Sequence, residues 1–452
     1  MNPPLQDIDP NRVADPPPPI QRLPEDVLRV IFVLTLPAHR NAALDASESP
    51  LLLCSVSKHW RDLAMEMPRL WATMHLVVPD DVENLTLERM LAMATIWLQR
   101  SGAVPLSVTT RPSSAMPIPM ALDFRKPSPE MPLLVSSPGR WEEMDLVCSR
   151  IGDLLALSKL APEETPVLKS ISLTLSPTAM FGGGLDVNLP ELYPSHPLRF
   201  LATPSLRRFS YLGVNAALPL TLVWVNITSL RLTVVDAAPC PFPFVFLKDC
   251  LNLELLALSV SLPLFNLDER VSLPQLKSLS LTFPDGEVGS ASALLDAPKL
   301  TALHLMHGSQ SNTGEHILPS LPAHTRCQLT KLSLSIYGSD SGVLDDALRA
   351  LPALQALRLM GEPTFLVIGD TDVRETDPTF LARFILVAGQ LESPFCPALR
   401  SLRLEGMYYL SDALLMQVVV SRAGGSETST SFRFSAFIPR ERQLDIAADP
   451  EV

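Results

Sequence analysis

The sequence predicts an α/β protein: a short helical module near the N-terminus, then an irregular solenoid of leucine-bearing repeats with parallel strands on its concave face. Three observations carry this prediction. Apolar residues between Leu23 and Met67 recur at helical spacing, the pattern L-x-x-L-x-L returns nine times from Leu168 onward, and 452 residues exceed one ordinary hydrophobic core. With 47% apolar and 19% charged residues the chain is of folded rather than disordered type, and with only 6% aromatic residues leucine must carry the core.

Residues 1–19 form a proline-rich leader with Pro16 to Pro19 in a row, a composition that favours extended chain. Pro24 suits a first helical position, Glu25 and Asp26 suit the positive end of a helix, and Leu28, Ile31, Phe32 and Thr35 trace one stripe. A second helix is expected from about Leu51 to Met67, with Leu53, Val56, Trp60, Leu63 and Met67 on one face and Pro68 as its stop. The module spans 20–76. A connecting helix follows within 77–104, where Leu87, Met90, Leu91, Ala94 and Leu98 share a side, and Pro112 to Pro138 reads as loop.

The repeats occupy 105–420. Their anchoring residues are Leu168, Leu206, Ile227, Leu253, Leu276, Leu300, Leu329, Leu354 and Leu399, and the middle copies lie 21 to 29 residues apart, with insertions toward both ends. One copy cannot bury its leucines alone; stacked copies make one continuous core. Arg140 to Val147 reads as a degenerate earlier strand. The tail, 421–452, is polar, although Phe432, Phe434 and Phe437 alternate like a last capping strand.

Several of these segments resemble a known family. Leu23-Pro24-Glu25-Asp26, Ile31-Phe32, the run Val56-Ser57-Lys58-His59-Trp60-Arg61-Asp62-Leu63-Ala64, Pro68-Arg69-Leu70-Trp71 and Trp97-Leu98-Gln99-Arg100-Ser101-Gly102 resemble the F-box in the version common in mushroom-forming fungi. Ser57 stands where a cysteine is common, and the loop Pro37 to Pro50 is longer than in the shortest examples. The downstream pattern resembles leucine-rich repeats, without an asparagine-type ladder at Ser176, Pro284, Gly308, Glu362 and Met407. An F-box/leucine-rich-repeat protein is the non-catalytic substrate receptor of a Skp–cullin–F-box ubiquitin ligase. The resemblance therefore implies a Skp-type adaptor and, through it, cullin as partners, a protein target on the repeats, no cofactor, and a cytoplasmic or nuclear setting. Adaptor contacts are expected from Leu23, Pro24, Leu28, Ile31, Phe32, Val56 and Trp60. The alternative is a repeat scaffold whose helices only cap the array, with no ubiquitin link.

Target contacts are expected where the strands project outward, at Arg208, Arg231, His304, Lys331, Arg358 and Arg403, since arginine recognises carboxylate and phosphate bidentately; a plain solvated face is the competing reading. A net charge of −12 gives no general attraction to nucleic acid or to an anionic membrane, and no secretory leader or membrane span is expected. The six cysteines are scattered and expected as thiols. Phe181-Gly182-Gly183-Gly184 lacks the Lys-Ser/Thr of a phosphate loop, and His304, His307, His316 and His324 match no zinc spacing. Asp370, Asp372, Arg374, Glu375 and Asp377 read as a solvated loop rather than an enzyme site.

Overall fold

The computed structural model describes residues 20, 23–78, 84–112, 126–175, 197–213, 221–234, 244–260, 271–283, 295–307, 328–335, 346, 348–361, 380–385, 396, 398–406, 412–423 and 432–437. The leader, the Phe181 to Gly184 run, His316, His324, the Asp370 to Asp377 loop and the five positions of the missing asparagine ladder lie outside these residues. The chain divides into two compact units, Met1–Ala115 and Met116–Val452.

In the first unit, helix α1 (Glu25–Leu34) starts one residue later than the sequence suggests, with Pro24 flanking it as the N-cap residue. Leu28 and Phe32 are fully buried, and the Phe32 ring meets Trp60 at 4.9 Å. The single helix expected over Leu51 to Met67 is two: α2 (Leu51–Val56) and α3 (Lys58–Met65). Between them Ser57 is fully extended, and its Oγ accepts from the Trp60 N–H at 3.1 Å. A serine hydroxyl that satisfies one orphan donor at a helix start competes well with continuing the helix through that residue. Ser57→Ala is expected to destabilise this unit by about 1 kcal/mol, with Ser57→Thr close to wild type, as read from urea midpoints.

Strand β1 (Thr73–Val78), helix α4 (Asn84–Arg100) and strand β2 (Leu106–Pro112) then form a parallel β-α-β unit, with Thr73 opposite Ser107. Leu106 to Pro112 forms strand β2, within the first compact unit. The predicted stripe of α4 faces inward, and Trp97 joins it: Trp97 packs edge-on to Trp71 at 5.0 Å and donates to the Thr73 carbonyl at 3.1 Å. Gly102 ends α4 at φ +56°, its N–H bonded to the Gln99 carbonyl, a left-handed position that glycine takes without strain.

The second unit opens with α5 (Met131–Leu134), inside the stretch read as loop, then strand β3 (Trp141–Cys148) and helix α6 (Ile151–Ser158). Asp153 is buried and accepts from the Ser128 N–H at 2.6 Å, the Ser128 hydroxyl at 2.7 Å and the Arg150 N–H at 3.0 Å. It thereby ties the segment before α5 to the start of α6. The nine predicted copies follow as β4 (Ser170–Leu175), β5 (Arg208–Gly213), β6 (Ser229–Val234), β7 (Leu255–Val260), β9 (Ser278–Phe283), β11 (Ala302–His307), β12 (Lys331–Ser335), β13 (Ala356–Met360) and β14 (Ser401–Glu405). A short parallel pair, β8 (Val271–Ser272) with β10 (Leu295–Asp296), sits between copies. After β14 come α7 (Asp412–Ala423), which carries helix into the segment read as tail, and β15 (Arg433–Phe437), the expected capping strand.

From β3 to β15 the strands of the main sheet are parallel and lie in chain order, each paired with the next, as in a solenoid. Register places Leu279, Leu303, Leu332, Leu357 and Leu402 in one row, and Leu281, Leu305, Leu334, Leu359 and Leu404 in another, all buried. The anchoring leucines make a third row, and the recurring proline explains its geometry. Pro166, Pro204, Pro274, Pro298 and Pro352 each occupy the second position of a turn, which the anchoring leucine closes by donating to the carbonyl three residues back. The ring presets φ for that turn position.

A main-chain ladder runs beside these turns. The Lys169 carbonyl accepts from both Arg207 and Arg208 N–H, Thr228 from Glu254 and Leu255, Lys277 from Thr301 and Ala302, and Thr330 from Gln355 and Ala356. Each repeat thus fixes the height of the next through backbone alone.

Candidate functional site

Residues between the second and third leucines point away from the core, so register sets them side by side: Ser280, His304, Ser333, Arg358 and Arg403 form one row across five neighbouring strands. Two residues earlier, Ser278, Ala302, Ala356 and Ser401 are small, and Lys331 alone is long. Small side chains beside a row of long ones leave a hollow of about 260 Å³, with leucines 303, 332 and 357 at its base.

The charges of this hollow are organised by Glu405, two residues beyond Arg403 on β14. Arg358 Nη2 donates to Glu405 Oε2 at 2.6 Å, and Arg403 Nε donates to Glu405 Oε1. The hydrogen bond from Arg358 prevails over burial, and with that from Arg403 it holds the Glu405 carboxyl below the usual carboxylate range. Burial first, and the Arg358 charge second, push the His304 imidazole below its ordinary value. At neutral pH this imidazole is therefore uncharged. Among the described residues that line the hollow, Ser333 Oγ and Arg358 Nε are buried and have no hydrogen-bond partner.

Four of the six expected target residues, His304, Lys331, Arg358 and Arg403, thus line one hollow. Arg208 and Arg231 do not join them. Arg208 on β5 pairs with Glu143 at 2.5 Å, and Arg231 on β6 is aligned with Ser210 and Ala257, with β7 and β9 between its strand and β11. Glu405 escaped the sequence reading, although a carboxylate two residues after an outward arginine was a usable signal.

In the first unit the expected adaptor residues separate by burial. Leu28 and Phe32 are core, Leu23, Ile31 and Trp60 are half-buried, and Pro24 and Val56 are exposed. Helix α1 also carries a second apolar face that the sequence reading did not use. Val27, Val30 and Leu34, at the i, i+3, i+7 spacing of one face, are 43%, 60% and 76% exposed, and Leu52 and Val56 are exposed on α2. A helix that is apolar on its outer face as well as toward its core points to something that covers it.

Among the described residues no cluster of His, Cys, Asp and Glu is arranged to hold a metal, and no helix is long and apolar enough to cross a membrane. Burial pushes the Cys250 and Cys396 thiols up to about 12 and Cys148 well above its ordinary value, so all three stay protonated and poorly nucleophilic. No known family model matches the chain, and none of the curated proteins compared with it does.

Proposed function

We propose that this chain is a substrate receptor of a Skp–cullin–F-box ubiquitin ligase, whose N-terminal helices dock on the adaptor while a leucine-rich-repeat sheet holds a protein target. The observation that carries the reading is the exposed apolar face of α1, Val27, Val30 and Leu34, within the segment whose residues resemble an F-box. The chain would supply no acid, base or nucleophile. Its contribution is proximity, holding the target where the ligase delivers ubiquitin. Of the residues expected from the sequence, Leu23, Pro24, Ile31, Val56 and Trp60 have exposed surface for such a contact, whereas Leu28 and Phe32 hold the helix in place from inside.

The burial of Leu28 and Phe32 against this unit also suits the second reading, a scaffold whose helices merely cap the repeats. Co-purification with a Skp-type adaptor separates the two. Wild type is expected to form a stoichiometric complex, and Val30→Glu with Leu34→Glu, both on solvent-facing positions, to weaken it by about a hundredfold with the circular dichroism spectrum unchanged. Folded wild type that fails to bind overturns the ligase reading and leaves the scaffold.

A further inference from the structure

The main sheet of the second unit ends on β15, and that end is open. We propose that β15 is a self-association edge, on which a second copy of the chain adds its own β15 antiparallel to the first. The pairing is centred on Ser435, so that Phe434 of each copy stands opposite Ala436 of the other. It goes beyond adaptor docking and target binding and needs neither.

Three observations carry it. The first is hydrogen bonding. Among the described residues β15 pairs with β14 alone. The Arg433 N–H donates to the Arg400 carbonyl, so by alternation the main-chain groups of Arg433, Ser435 and Phe437 face β14 and those of Phe434 and Ala436 face away. In the first unit, by contrast, the outer side of β1 is covered: the His75 N–H donates to the Ala42 carbonyl at 2.7 Å, and Ala43 bridges His75. A strand edge left open is a template for another strand.

The second observation is the state of the core at this end. Register carries the two leucine rows onto β15, where Leu402 is followed by Phe434 and Leu404 by Ala436. Both leucines are buried, whereas Phe434 is half-buried and Ala436 exposed. The last repeat of a stacked array normally shows water a polar face; this one shows it apolar residues.

The third is self-complementarity. A two-fold axis through Ser435, normal to the sheet, sets the large Phe434 against the small Ala436 of the other copy, and the reverse. These facing residues exchange N–H to carbonyl hydrogen bonds through the very groups that β14 leaves unused. The apolar faces of both sheets then lie on the same side, and each leucine row runs on into the other copy. Charge selects the same register. Arg433 is the one charged residue of the strand and stands first in it. Centring on Ser435 keeps the two copies' arginines about 14 Å apart, beyond the screening length of about 8 Å at physiological ionic strength. Centring on Phe434 would roughly halve that distance and oppose the two Phe434 side chains.

The test is sedimentation velocity on the full chain, without adaptor, over about 1 to 100 μM, a range suited to a small interface. Wild type is expected to pass from monomer to dimer across it. Ala436→Pro removes an outward N–H that β14 does not use, and Ala436→Lys places a charge against the other copy's Phe434. Each is expected to raise the dimer Kd about tenfold or more, with the thermal midpoint of the dilute protein unchanged; the lysine variant guards against a local distortion by proline. Register is read by cross-linking. Ser435→Cys is expected to give a disulfide-linked dimer on mild oxidation, because facing residues of a non-hydrogen-bonded pair lie about 4.5 Å apart at Cα, within disulfide reach. Arg433→Cys, about 14 Å from its counterpart, is expected to give no more than wild type.

Wild type that stays monomeric at the highest concentration would overturn the proposal. A dimer that both Ala436 variants leave intact would overturn it in favour of another surface. Equal cross-linking at 433 and 435 would mean chance collision or another register, and would overturn this pairing. Because no adaptor is present and β15 lies outside the F-box-like segment, failure here leaves the docking proposal standing, and failure of docking leaves this one.

Discussion

Trp71→Ala is expected to destabilise the first unit by about 3–5 kcal/mol, the range for removing a large aromatic side chain from a core. The ring is 1% exposed, meets Trp97 edge-on at 5.0 Å, and lies under the Arg100 guanidinium at 4.5 Å. Its Nε1–H donates to the Ala64 carbonyl at 2.9 Å, one of the last carbonyls of α3, which also accepts from the Met67 N–H at 3.3 Å. The substitution therefore opens a cavity, removes one of the donors to the Ala64 carbonyl and removes the partner of Trp97 together. Since whole domains are stable by only about 5–15 kcal/mol, the variant should sit near its unfolding midpoint at physiological temperature. Trp71→Phe keeps most of the burial and should recover all but about 1–2 kcal/mol. Urea titration followed by far-UV circular dichroism and tryptophan fluorescence reads both, and an alanine variant within about 1 kcal/mol of wild type would refute the packing described.

Leu332→Ala is expected to destabilise the second unit by about 2–5 kcal/mol. Leu332 is 2% exposed and stands in the row between Leu303 and Leu357, directly beneath the hollow. In a stacked array each repeat touches chiefly its neighbours, so the damage should be local. Hydrogen exchange is expected to rise in β11, β12 and β13 and to stay near wild type in β4 and β5. A uniform rise along the sheet would mean that the repeats unfold as one cooperative block.

The repeats were the most legible part of the sequence, because leucine spacing and the preceding proline act locally and recur. Each proline marked a turn, and each turn set a strand. What sequence could not display is anything carried by main chain across neighbouring copies: the shared carbonyls at Lys169, Thr228, Lys277 and Thr330 belong to the residue after each anchoring position, which is lysine in two copies and threonine in two, and a carbonyl is common to every residue type. The break at Ser57 was hidden by an apolar stripe that runs through it in phase, so periodicity outweighed a capping signal one residue long. Sequence named the cations that line the hollow but not their grouping. Arg231 and Arg358 are equivalent by motif, and only the order of strands puts one beside His304 and Ser333 and leaves the other apart. Burial likewise sorted Phe32 from Val30, two neighbours on one helix that hydropathy alone treats alike.

The shared carbonyls at the strand entrances have a mechanical consequence. Because strands of the second unit follow one another in chain order, tension on its two ends loads one inter-strand seam at a time instead of shearing many in parallel. Such a sheet peels: the terminal strand detaches, the next inherits the load, and extension proceeds in steps of one repeat at modest force.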